Sequence, residues 1–214
     1  MNAHLKRLIK VFLSPFNRIG LKNKSFSIIS NNCWGGYYYD KFHLRYTTPT
    51  IGLFFPPKDF LKFVSNIEYY LSFDLKKIDL ESANCKQLLV NKEKNGLIKN
   101  ASDMIIGKLG DIEIVFVHYS SFDDAYVKWN SRKSRINFEN LIIKFNDQNE
   151  FEEYMFNEFM TIPYKNKLFF TSNMKFKGKE NVYFIKKYAD LGFALDDIHT
   201  RFNIKKYLND IKRQ

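Results

Sequence analysis

The residues able to do chemistry in this chain fall into three short groups. The first is Asn31-Asn32-Cys33-Trp34-Gly35-Gly36. Its two Asn side chains offer amide donors to an acceptor hydroxyl or an oxyanion. Cys33 becomes a nucleophile if something lowers its pKa. Gly35 and Gly36 let the backbone approach a ligand or take positive φ, and successive amides in such a turn form an anion-binding nest. The second group is His118-Tyr-Ser-Ser121, where His118 is the candidate general base. The third is Arg132 with Arg135, three apart and on one helical face, with Lys128 a turn earlier. Two guanidinium groups so placed can hold a phosphate or carboxylate in a fork. Together these types suit acyl or phosphoryl transfer, with Cys33 or a bound substrate hydroxyl attacking.

Each group also has a plainer reading. The Asn pair can stabilise a tight turn while Trp34 fills the core and Cys33 acts as a small buried hydrophobe. His118 can be a satisfied residue at a strand end. The basic helix face can simply be solvated and paired with Asp123 or Asp124. Tyr37-Tyr38-Tyr39, with Trp34, can stack on sugar rings or merely anchor the loop.

The elements that must position these residues read as alternating strands and helices. Phe26–Ser30, Thr50–Phe55, Asp111–Val117, Leu141–Phe145, Lys167–Thr171 and Val182–Ile185 are apolar runs suited to buried strands. A further strand is expected near Gln87–Val90. Phe60, Phe63, Val64, Ile67 and Leu71 predict one helix over 59–71. Helices are also expected over 122–136 and 150–159, and after an Asn203 cap. This alternation predicts an α/β fold: a largely parallel sheet with helices on both faces, three layers, and an irregular Rossmann-like topology. In such sheets ligands bind beyond the carboxyl ends of the strands. If the strands are parallel, those ends gather Asn31-Asn32-Cys33, Pro56 to Asp59, His118 to Ser121, Asn146-Asp147 and Thr171 to Asn173.

The chain has 214 residues, enough for one domain with its own core, and 45% of them are hydrophobic. We divide it into a basic amphipathic segment, 1–22, and a single α/β domain, 23–214. Within the first, Leu5, Leu8, Ile9 and Phe12 share a helical stripe beside Lys6, Arg7 and Lys10. Residues 1–13 either pack on the domain or touch the inner leaflet of a membrane. No apolar run approaches the ~20 residues of a membrane span. Two cysteines, Cys33 and Cys85, make no disulfide framework and read as reduced thiols of a cytoplasmic protein. The four His have no ligand spacing, and no metal site is expected. The net charge of +11 suits an anionic partner, but 27 of the 34 basic residues are Lys, the bias of an AT-rich coding sequence. Without a recognisable module, nucleic acid is a poor partner for it. P-loop, G-x-G-x-x-G, G-x-S-x-G and H-E-x-x-H patterns are all lacking, so no nucleotide hydrolysis, dinucleotide chemistry or zinc proteolysis is indicated.

Three stretches together resemble a known bacterial family. They are Ser27-Ile-Ile-Ser-Asn-Asn-Cys-Trp-Gly-Gly36, Pro49-Thr-Ile-Gly-Leu-Phe-Phe55, and His118-Tyr-Ser-Ser121 followed by Ala125, Lys128-Trp129, Arg132 and Arg135-Ile-Asn137. The family is a domain of unknown function whose members are often labelled exopolysaccharide or capsule biosynthesis proteins. The resemblance spans roughly 24–147, with Thr48 where Ser is more usual before the Pro. It implies a setting, cell-surface polysaccharide assembly, and it implies that the Asn31–Gly36 loop, His118 and Arg132 share one site. The reading that follows is a transferase moving an acyl, glycosyl or phosphoryl group to a sugar, with a nucleotide-sugar or acyl donor. The alternative is a noncatalytic glycan-binding or assembly protein of the same pathway. The sequence names no cofactor.

Overall fold

The computed structural model describes residues 15–195, 197 and 202–211. The basic stripe over 4–13 lies outside the described residues. Among the described residues, eight strands form two four-stranded sheets. The first contains β1 (Ser27–Ser30), β6 (Leu141–Asn146), β7 (Asn166–Thr171) and β8 (Val182–Phe184), in the order β1-β6-β7-β8. All three of its pairings are parallel. The second contains β2 (Leu53–Phe54), β3 (Lys76–Ile78), β4 (Ile105–Leu109) and β5 (Ile112–Phe116), in the order β2-β5-β4-β3. All of its pairings are antiparallel. The chain is therefore mixed α/β, and the expected single, largely parallel sheet is corrected to two sheets of opposite type. The antiparallel sheet is inserted between β1 and its neighbour β6.

The reason for the error is burial. Every residue of β5 is buried, so it reads as the continuous apolar run typical of a parallel strand. Its side chains nevertheless alternate. Ile112, Ile114 and Phe116 enter a central core shared with Ile29, Ile143, Phe145 and Phe169 of the parallel sheet. Val115 faces a separate cluster with Phe54, Leu88 and Leu89. The other face of the parallel sheet, Ile28, Ile142 and Phe170, packs on Trp34, Tyr38, Phe42, Ile204 and Leu208.

Seven α-helices cover these faces: α1 (Trp34–Phe42), α2 (Pro57–Ser65), α3 (Ile67–Ser72), α4 (Lys86–Lys94), α5 (Phe122–Lys133), α6 (Tyr154–Thr161) and α7 (Ile204–Asp210), counted among the described residues. Asn66 breaks the helix expected over 59–71. Its backbone leaves the helical region and its side chain accepts from the Tyr69 amide, capping α3. The expected strand near Gln87–Val90 is instead α4. This helix is polar and buries only Leu88 and Leu89. Its start is held from outside, because buried Glu113 of β5 accepts from the Asn84 and Cys85 amides at 2.8 and 2.9 Å. Asn203 does cap α7, accepting from the Lys206 amide.

Candidate functional site

Parallel strands bring Asn31, Asn146-Asp147 and Thr171-Ser172 to one rim, as expected for that sheet. The rim is closed over by its own side chains and by the segment reaching Asp197. Lys144, wholly buried on β6, forms an ion pair with Asp197. Its ammonium also donates to Asn32 Oδ1 at 3.1 Å and lies 5.5 Å from the Phe170 ring centroid. Asn32 Nδ2 donates to both Asp197 oxygens, at 3.0 and 3.2 Å. Asn146 Nδ2 donates to Asp197 and accepts at Oδ1 from Asn31 Nδ2 at 2.7 Å. Asp147 accepts from the Thr171 hydroxyl and the Ala194 amide. The Asn31 and Asn32 amide nitrogens thus donate into a buried charge network rather than facing solvent, while Asn31 Oδ1 is buried without a hydrogen-bond partner among the described residues.

The Asn31–Gly36 loop is also tighter than the sequence suggests. Trp34 already begins α1, and neither Gly35 nor Gly36 has positive φ. The expected anion nest is occupied: the Trp34 amide donates to Asn32 Oδ1 and the Gly35 amide to the Ser30 hydroxyl. Gly35 serves close packing instead: a Cβ there would sit 3.0 Å from Ile28 Cγ2, whereas one on Gly36 would make ordinary contact with Ile51 Cγ2 at 3.4 Å. Trp34 is fully buried, edge-on to Tyr38 and Phe170, so its ring is withheld from any sugar.

The concave site lies beside this rim, in a cavity of about 990 Å³. One wall comes from α1, with Gly36, Tyr37 and Asp40, and Cys33 just before it. Tyr46, Ile51 and Gly52 precede β2, His118 and Tyr119 follow β5, and Lys128 and Arg132 project from α5. Tyr119, Lys128 and Arg132 reach the cavity because Ser121 caps α5 at once, accepting from the Asp124 amide. The structure therefore places His118, Cys33, Gly36 and Arg132 around one cavity. Asn31, Asn32, Trp34, Gly35 and Arg135 are not among its lining residues. Arg135 bonds the Ser131 hydroxyl and makes a long, 3.5 Å contact to the Tyr46 carbonyl.

His118 reaches the cavity although its strand belongs to the antiparallel sheet. The Gly52 carbonyl accepts from two successive amides, Val117 and His118, both at 3.0 Å. Just beyond the Leu53–Phe116 pair, two residues of one strand therefore oppose one of the other, a β-bulge. This re-aims exposed His118 toward the cavity. Gly52 has φ +68°, and a Cβ there would lie 3.2 Å from His118 Cβ and 3.4 Å from Tyr119 Cε2. Only glycine suits that position.

Arg132 is fixed by neutral partners. It donates to the Tyr119 hydroxyl at 3.0 Å and its guanidinium carbon lies 4.7 Å from the Tyr46 ring centroid. The Tyr119 hydroxyl in turn donates to the Ile51 carbonyl at 2.5 Å. Lys128 differs: it pairs with Asp124 at 2.7 Å, the plainer reading of that helix face. Tyr46 donates to Asp40 at 2.5 Å. Burial pushes the Cys33 thiol up to about 11, Asp197 adds to this, and Lys144 opposes it. Cys33 is thus a protonated thiol at neutral pH. Among the described residues, no group of three or more His, Cys, Asp or Glu is placed to hold a metal ion, and no helix is long and apolar enough to cross a membrane.

The sequence matches the family described as a domain of unknown function, DUF1919, over residues 4–213. The chain belongs to this family. The DUF1919 match takes in the last third of the chain as well as the 24–147 stretch that carried the resemblance. A protein of Haemophilus influenzae, described as uncharacterized, is similar too. It is 30% identical over 188 residues, covering 87% of this chain and 81% of its own. Sequence reasoning did not single out Gly52, Tyr119, Tyr46 and Asp40 as lining this cavity. Gly52 and Tyr119 stood inside quoted motifs, but only pairing geometry shows what they do. Lys144 did carry a signal: a lone cation within Leu141-Ile-Ile-Lys-Phe145 must find a buried partner.

Proposed function

We propose that this DUF1919 chain is a transferase that moves an acyl, glycosyl or phosphoryl group onto a sugar hydroxyl, in cell-surface polysaccharide assembly. The observation that carries the reading is that an exposed imidazole, His118, and a preorganised guanidinium, Arg132, line one cavity of about 990 Å³. That volume is at the upper end for small-molecule sites and suits a donor together with an acceptor. The polysaccharide setting rests on the resemblance of the three motifs.

In the proposed step the sugar hydroxyl oxygen attacks the donor's electrophilic carbon or phosphorus. The new bond forms as the bond to the leaving group breaks. The hydroxyl proton passes to the His118 imidazole, which releases it to solvent or to the departing group. Arg132 holds negative charge on the donor. The attack is assigned to the substrate hydroxyl because the Cys33 thiol stays protonated.

The test is a transfer assay on the full chain with a sugar acceptor and, in turn, acetyl-CoA, UDP-sugars and ATP, read by mass spectrometry of the acceptor. One donor class should give product, and His118→Ala should lower its rate by about 100-fold or more. No product from any donor, or an undiminished rate in the variant, would overturn the proposal.

A further inference from the structure

We infer that the cavity takes its ligand through a phosphate-bearing, multiply charged group seated on Arg132 and attracted by Arg45 and Arg135. This deepens the proposed function and rests on it only for the idea that the group belongs to a donor.

The chain has seven arginines against 27 lysines, and three of the seven gather around one residue, Tyr46. Arg45 precedes it, Arg132 stacks on its ring, and Arg135 contacts its carbonyl. None of the three pairs with a carboxylate among the described residues, whereas Lys128 in the same cavity is paired with Asp124. Like charges so gathered repel, and the nearby Asp40 carboxylate, which accepts from the Tyr46 hydroxyl, offsets this in part without forming an ion pair with any of the three among the described residues. The effect is visible at Arg135, where burial, then Arg45 and Arg132, all oppose the charged form. An arriving anion relieves that repulsion.

The choice of residue is specific. A guanidinium presents five N–H donors in a planar fork, and Arg132 commits one to Tyr119. Its stacking on Tyr46 and the Tyr119–Ile51 link hold the fork before the ligand arrives, so little side-chain freedom is lost on binding. Lysine cannot reproduce this fork. The cavity is far larger than one phosphate, and half-buried Tyr37 and Tyr46 leave aromatic surface for the rest of the ligand. A nucleoside diphosphate and coenzyme A share this chemistry, a diphosphate joined to a ring-bearing group.

The test is calorimetric titration of the full chain with inorganic pyrophosphate, UDP and coenzyme A, and with glucuronate as a carboxylate control. UDP or coenzyme A should bind and glucuronate should not, and which of the two binds identifies the source. Arg132→Lys should weaken binding about 10- to 100-fold while keeping the charge. Arg45→Gln and Arg135→Gln, outside the cavity lining, should each weaken it about 3-fold and flatten its salt dependence. Absence of binding by all three phosphates would overturn the inference, as would equal binding of glucuronate or unchanged affinity in Arg132→Lys. Failure here with His118-dependent transfer from p-nitrophenyl acetate, added to the transfer assay as a phosphate-free donor, sinks the inference and leaves the transferase. Phosphate binding at Arg132 with no transfer from any donor does the reverse.

Discussion

Replacing Asp197 by Asn removes the counter-charge of a lysine that has no access to water. Lys144 is wholly buried, with Trp34 and Phe170 rings about its ammonium. In the native chain Asp197 and Asn32 Oδ1 both receive its protons. Asn at 197 can still accept one hydrogen bond, but the charge is uncompensated. Breaking a buried pair from one side costs about 3–5 kcal/mol, against about 0–1 for an exposed pair. The retained hydrogen bond favours the lower end, about 3 kcal/mol. For a chain of this size that corresponds to a fall in Tm of about 6–12 °C. The pH dependence has a definite sign. Burial already depresses the Lys144 pKa, and Asp197 is the largest opposing influence. Without it the depression deepens, so the native state binds fewer protons than the unfolded chain up to the usual lysine value. Stability of the variant then rises with pH, and its deficit is larger at pH 6 than at pH 9. Thermal unfolding at those two pH values measures both effects. Lys144→Met/Asp197→Asn should recover at least half the loss, because the stranded charge is gone. A deficit below about 1 kcal/mol, or strictly additive single effects, would refute the claim that this pair is electrostatically closed.

Two further outcomes follow from buried groups elsewhere. Burial, then the nearby Glu113 and Asp111 carboxylates, raise Asp59 to about 6, although the Glu113 amide and Lys62 oppose this. Its folded value lies above the unfolded one, so its contribution is full below about pH 4 and lost as pH rises through 6. Asp59→Asn should therefore stabilise the chain at pH 7 by about 1–2 kcal/mol, after discounting for partial exposure, and by almost nothing at pH 4. Denaturant unfolding at both pH values checks it, and a destabilised variant at pH 7 contradicts it. Cys33 at about 11 rather than 9.0 holds about 100-fold less thiolate at pH 8. Its alkylation by iodoacetamide, followed by peptide mass spectrometry, should be slower by about that factor than that of a free thiol and should accelerate through pH 10. Rapid labelling at pH 7 would reverse the assignment of attack to the substrate hydroxyl.

Much of the fold was legible because strand interiors are dense in β-branched residues. β1, β5, β6 and β7 fall within a residue or two of where their apolar runs lie. Strand direction was not legible. A strand buried on both faces loses the polar–apolar alternation that marks an antiparallel sheet, as β5 shows. α4 was misread because its start depends on Glu113, whose role is invisible from the local sequence. Residue type drew attention to His118 and Arg132, and both line the same cavity. The Asn pair, expected to face a ligand, lies outside the cavity lining: Lys144 and Asp197 engage Asn32, and the Asn31 amide nitrogen donates to Asn146. Tyr46 and Tyr119 escaped notice because their contribution is to hold an arginine still, which no spacing rule encodes.

The insertion of the antiparallel sheet also sets a timetable for folding. Among the described strands β1 pairs with β6 alone, Ser27 opposite Leu141, so it leaves the ribosome long before that partner exists. The inserted sheet, whose strands are close neighbours in sequence, can form first and bring those two distant segments within reach. Contacts of such long range slow folding and leave an apolar strand edge available to other chains in the meantime. A polypeptide halted between the two strands would retain an orphaned β1, so aggregation during synthesis is the failure this chain order invites.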